Sequence, residues 1–154
     1  MNSRRLWLQE SALSALSAAV LLLPLAPARA QGAAPLRVVL QGHDPVAYFT
    51  ESRPVMGSPQ FKLDWDDQRY HFANAANRDR FAADPDRYAP QFAGYCTGTM
   101  SKGGKAEADP QAWIIADGKL FLFGQVKFRD LAKNDPAWLA GTVVAANDQW
   151  RVRK

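Results

Sequence analysis

Four Asp-Pro pairs punctuate this chain: Asp44-Pro45, Asp84-Pro85, Asp109-Pro110 and Asp135-Pro136. Proline cannot donate the hydrogen bond that continues a helix, so each pair forces a boundary. The Asp before it turns that boundary into a start. Its carboxylate accepts orphan backbone N–H groups, and proline at the first helical position needs no N–H of its own. An aromatic follows each Asp within four residues (Tyr48, Tyr88, Trp113 and Trp138), ready to tuck into a core. The intervals between the pairs are too uneven to read as a repeat protein. One capping device reused at several short helices or turns is the expectation.

Between these boundaries the periodicity changes. Phe61, Leu63 and Trp65 alternate, as do Tyr70 and Phe72, with Asp66-Asp67-Gln68 between them, which predicts a β-hairpin. Ala75 to Ala83 reads as a helix with Asn74 as its cap and Phe81 on its buried side. Trp113-Ile114-Ile115-Ala116, the turn Asp117-Gly118 and Leu120-Phe121-Leu122-Phe123 predict a second hairpin. Lys102 to Asp109 is polar and rich in Gly, hence a loop. Residues 126–134 and 137–147 suit two closing helices. Hairpins and helices come in blocks and not in strict alternation, so the expected class is α+β: two β-hairpins with short helices in one compact domain, closed by two C-terminal helices. Trp65, Tyr70, Phe72, Phe81, Tyr88 and Trp113 are its expected core.

The first 30 residues read as a cleavable export signal. Arg4 and Arg5 form a basic start, Leu13 to Leu25 is mostly apolar, and Ala28-Arg29-Ala30 offers a small–x–small cleavage site, so the mature chain is expected to begin at Gln31. Pro24 and Pro27 break the apolar run, which leaves no stable membrane anchor after cleavage. Ser3-Arg4-Arg5-Leu6-Trp7-Leu8-Gln9 resembles a twin-arginine signal, with Trp7 and Gln9 departing from the usual Phe and Lys; a general secretory signal is the alternative. Either route implies a periplasmic protein. Removing residues 1–30 lowers the formal charge from +4 to +2, which leaves no dense basic face for nucleic acid. What remains is organised as a linker over 31–41, one domain over 42–150 and a basic tail over 151–154.

Several stretches carry a family resemblance. They are Gly42-His43-Asp44-Pro45-Val46-Ala47-Tyr48-Phe49, the run from Tyr70 to Tyr88 with Phe72, Asn77, Phe81 and Pro85, and Ala89-Pro90-Gln91-Phe92-Ala93-Gly94-Tyr95-Cys96. Ala112-Trp113 and Asp117-Gly118-Lys119-Leu120 extend the match. From Gly42 to about Trp150 the chain resembles the exported branch of the YHS-domain family, whose short members are presumed to bind metal through paired cysteines. This chain departs from that pattern, since Tyr70 to Asn77 contains no Cys. A thiolate cage needs several soft ligands, so the short domain's metal site does not carry over.

The single cysteine, Cys96, can form no internal disulfide. Three uses are open to it beside that of an inert core residue: soft metal ligand, redox thiol, or bridge to a partner. If 94–101 is helical, Cys96 and Met100 lie four residues apart on one face. Adding His43, beside the potential orienting carboxylate of Asp44, gives a Cys96–Met100–His43 set suited to copper. His71, between two core-facing aromatics, is expected to face solvent. No phosphate loop, nucleophile elbow or metalloprotease helix occurs, and no acid/base carboxylate pair is recognisable. A Cys96–His43 thiol–imidazole pair would lack a third orienting partner other than Asp44, which is more simply an N-cap. The reading leans away from an enzyme. Metal handling, copper first, leads; a periplasmic module for an apolar ligand or protein partner, and a thiol redox factor, are the alternatives.

Overall fold

The computed structural model describes residues 34–152, so the expected signal over 1–30 and the last two tail residues lie outside the described residues. The fold is α+β. Strands β1 (Arg37–Val38), β2 (Ser58–Trp65) and β3 (Gln68–Phe72) form one sheet in the order β1-β3-β2, and β4 (Trp113–Ala116) pairs with β5 (Lys119–Leu122). Six helices surround them: α1 (Pro45–Thr50), α2 (Ala75–Ala83), α3 (Pro85–Tyr88), α4 (Thr97–Met100), α5 (Val126–Asn134) and α6 (Pro136–Arg151).

Both hairpins turn on two residues with positive φ, Asp66-Asp67 and Asp117-Gly118, the conformation that matches the twist of the flanking strands. Asn74 caps α2 by accepting from the Asn77 N–H at 2.9 Å. Three of the four Asp-Pro pairs start helices: Asp44, Asp84 and Asp135 accept from the backbone N–H of Val46, Arg87 and Trp138. Asp109 instead closes a turn, accepting from Gln111 N–H at 2.9 Å.

The expected core assembles around Phe81. Its ring lies 4.7 Å from Tyr70, 5.3 Å from Phe72 and 6.0 Å from Trp65, centroid to centroid. Tyr88 is buried in the same cluster, and Trp65 and Trp113 pack against it half-buried. A second cluster, built on Phe92, Met100, Ile114, Phe121 and Phe123, lies under α6. The expected linker over 31–41 is corrected in part: β1 pairs parallel to β3, and Val39 and Leu40 are buried. Two adjacent apolar residues with a sheet edge to cover enter the core. The polar loop 102–109 is likewise tied down. Arg37 grips Glu107 through two bonds of 2.6 and 2.7 Å, and Cys96 N–H donates to Ala106 O.

The uneven Asp-Pro intervals conceal a duplication. A turn at Val39–Gly42, with left-handed Leu40 and Gln41, leads to a bridge at His43, a cap at Asp44 and α1; the hairpin β2–β3, α2 and the Asp84-capped α3 follow. The same series then runs again, roughly fifty residues on: a turn at Gln91–Gly94 with left-handed Phe92 and Ala93, a bridge at Tyr95, a cap position at Cys96, α4, hairpin β4–β5, α5 and the Asp135-capped α6. Left-handed φ costs a side-chain-bearing residue about 1–2 kcal/mol, so twin turns of this kind are a specific signature. Arg78–Asp79 and Arg129–Asp130 repeat the same neighbour ion pair at 2.8 and 2.7 Å.

Candidate functional site

The duplication defines what stands at Cys96. In the first half its counterpart is Asp44, fully buried, whose carboxylate accepts from Val46 N–H at 2.8 Å, Ala73 N–H at 2.9 Å and the Asn77 side-chain amide at 2.7 Å. That network fills the space between α1, β3 and α2 and leaves no oxygen of Asp44 spare. In the second half Gly124 N–H, the counterpart of Ala73 N–H, donates to the Cys96 sulfur at 3.1 Å. Asn77 is replaced by Phe128, which turns outward and is 39% exposed.

The polar filling is therefore gone and a cleft opens in its place. About 390 Å³ in volume, it is lined by the buried Cys96, by the apolar side chains of Phe128, Leu131 and Trp138, and by the exposed Lys102. Thr97, beside the thiol, is fully buried and its hydroxyl has no hydrogen-bond partner among the described residues. Phe128 and Leu131, three residues apart, share one face of α5 and are both exposed. A larger cleft of about 480 Å³ runs between Tyr48, Trp113, Ala132 and Pro136. Its one buried polar group, the Tyr48 hydroxyl, already donates to Pro110 O at 3.1 Å. Burial, with the Asp109 and Asp44 carboxylates nearby, also holds that phenol far above its ordinary range, so it stays protonated.

The expected Cys96–Met100–His43 set is distributed over different surroundings. The helix expected over 94–101 begins only at Thr97, and Cys96 is its N-cap, with ψ of 117°. The i,i+4 facing rule holds between helical residues, and an extended cap sends its side chain elsewhere. Cys96 accordingly packs in the first cluster and Met100, fully buried, in the second. Neither Met100 nor His43 lines the cleft at Cys96. His43 is half-buried at the first turn, its Nδ1 2.9 Å from Leu40 O.

His71 is half-buried rather than solvent-facing. Burial first, then the charges of Arg69 and Lys62, hold its imidazole below the ordinary histidine range. No group of three or more His, Cys, Asp or Glu among the described residues is arranged to hold a metal, and none of their helices is long and apolar enough to cross a membrane. Phe128, Leu131 and Trp138 were not site candidates by sequence. Their signal was the apolar spacing on two helices that sequence reasoning assigned to closing the core. No family model, curated protein or solved structure matches the chain.

Proposed function

We propose that this chain is an exported YHS-type binding domain whose Cys96 cleft holds a small, largely apolar ligand. One observation carries the reading. The second half keeps the backbone donor that anchors Asp44 in the first half, yet replaces the carboxylate and amide by a thiol and an outward Phe128, opening a cleft where a packed polar network stood. A concave, mostly apolar pocket with a few polar groups is what small-ligand recognition requires. The exposed Lys102 suits a ligand with an anionic end. The signal-like residues 1–30 and the stretches resembling the YHS family support the exported, YHS-type part of the reading. Copper held through Cys96 would need a second soft donor beside the thiol, and Met100 packs in the other cluster.

The test uses 8-anilinonaphthalene-1-sulfonate, an apolar anion, titrated into the full chain. It binds one equivalent with a rise in fluorescence and slows alkylation of Cys96. F128S and L131S, both at exposed positions, weaken it about tenfold or more. An unchanged alkylation rate, or the parent's affinity retained in both variants, would sink the proposal.

A further inference from the structure

Of the chain's two histidines, 28 residues apart in sequence, His71 comes with Met56 to Gly42, and His43 is the next residue along and bridges to Met56 through the backbone. Gly42 has φ of +87°, and the point where its Cβ would stand lies 3.4 Å from His71 Nδ1 and 3.8 Å from Met56 Sδ. An imidazole nitrogen and a thioether sulfur thus both lie within 4 Å of the place a side chain at Gly42 would take. Gly57 makes the approach possible: a Cβ there would come within 2.6 Å of the His71 backbone and 2.8 Å of Gly42 O. Only glycine lets the Met56 segment run so close to both.

His43 joins them by register. Asp44 N–H donates to Val55 O and Gly57 N–H to Gly42 O, which makes His43 and Met56 a directly opposed pair without hydrogen bonds between them. In that arrangement side chains share a face and approach most closely. A carbonyl only accepts, so the 2.9 Å contact with Leu40 O puts the proton of the His43 ring on Nδ1 and leaves Nε2 with its lone pair. A backbone carbonyl holding the far ring nitrogen is how metal-binding histidines are oriented.

The second half shows what this place can hold. There the bridged pair is Tyr95 and Glu107, and between them sits a cation: the Arg37 guanidinium, 4.0 Å over the Tyr95 ring and bonded to both Glu107 oxygens. The first half offers imidazole, thioether and imidazole at the equivalent bridge.

We propose that His71, Met56 and His43 form a binding site for a soft monovalent cation, Cu(I), over Gly42. Thioether and imidazole donors select Cu(I), and hard cations want the carboxylate oxygens that Asp44 has already committed. Lys62 and Arg69 lie near His71; Arg69 is engaged by both oxygens of Asp64, and the remaining positive charge weighs against a divalent ion.

The test is a competition titration of the full chain against a Cu(I) chelator, with NMR of methyl-labelled methionine and Ag(I) as the redox-silent probe. Ag(I) shifts the Met56 methyl and the His71 ring signals and leaves the Met100 methyl in place. Affinity for Cu(I) falls about tenfold or more in H71Q and in M56L, whose side chain is 61% exposed so that the fold survives its loss. C96A binds as the parent does, which separates this site from the cleft. An unmoved Met56 methyl, or M56L binding Cu(I) as tightly as the parent, overturns the proposal.

Discussion

Asp44 and Cys96 occupy equivalent cap positions and carry very different energetic weight. Asp44→Ala would strand two buried donors, Val46 N–H and the Asn77 amide, each costing on the order of 1–3 kcal/mol when unsatisfied, and a part-buried one at Ala73. The expected loss is about 3 kcal/mol or more in urea unfolding, with little of it recovered by water because the site is fully buried. Cys96→Ala removes one weak acceptor facing an open cleft and should cost about 1 kcal/mol. Similar losses in the two variants would show that the halves are not equivalent in this respect. His71 gives a pH signature of its own. Its imidazole is held below the ordinary value near 6.5, so the unfolded chain takes up a proton first as the solution is acidified. The stability contribution is therefore complete above about 6.5 and declines as pH falls from there towards the folded value. Ring-proton NMR should show His71 titrating below that value, and H71Q should flatten the acid side of the stability profile. A His71 midpoint above the ordinary value would reverse the sign.

At the scale of elements, local chemistry decided most of what formed. The hairpin turns, the Asn74 cap and the start of α5 fall where alternation and turn residues put them. Phe81 was identifiable as the buried position of α2, and it touches three aromatic rings. Phe81→Ala should cost about 3–5 kcal/mol, as buried Phe truncations do; a loss below about 1 kcal/mol would remove it from the core. What could not be read locally is the break at Tyr95-Cys96. Nothing in Gly94 to Ser101 announces an extended cap, because its geometry is imposed from afar, by Ala106 O accepting from Cys96 N–H and by Glu107 pairing with Tyr95. The approach of Met56 and His71 to Gly42 was hidden for the same reason: it depends on a close backbone approach at Gly57 that no spacing encodes.

The described residues form two similar halves, and the repeat escaped sequence reading because the halves carry different residues at its key positions. Cys96-Thr97 stands where the first half has Asp44-Pro45 and Phe128 where it has Asn77, while Asp109-Pro110, a turn with no counterpart, supplied a false interval. Two halves with two apolar clusters raise the question of whether they melt together. The connections between them say that they do. Gly94 packs under Val39 and Leu40, within 3.0 and 3.2 Å of its Cβ position, so the twin turns interlock. Gln41 donates to Ala108 O, Tyr48 to Pro110 O, and Arg37 reaches Ala93 O as well as Glu107. Tyr48 also stands edge-on to Trp113 at 5.2 Å. Opening either half alone would strand the buried Tyr48 hydroxyl, at a cost on the order of 1–3 kcal/mol, and would break the part-buried Gln41 and Arg37 bonds with it. A chain of this size whose parts share such contacts unfolds as one cooperative unit. Phe123→Ala, at the centre of the second cluster, should therefore lower the denaturant midpoint read from the His71 ring signals of the first half. The shift should equal the one read from the indole NMR signal of Trp138, whose ring lies tilted at 6.2 Å from that of Phe123 in the second. If Trp138 melts early while His71 keeps its folded signal, the halves are independent units and the interlocked turns do not couple them.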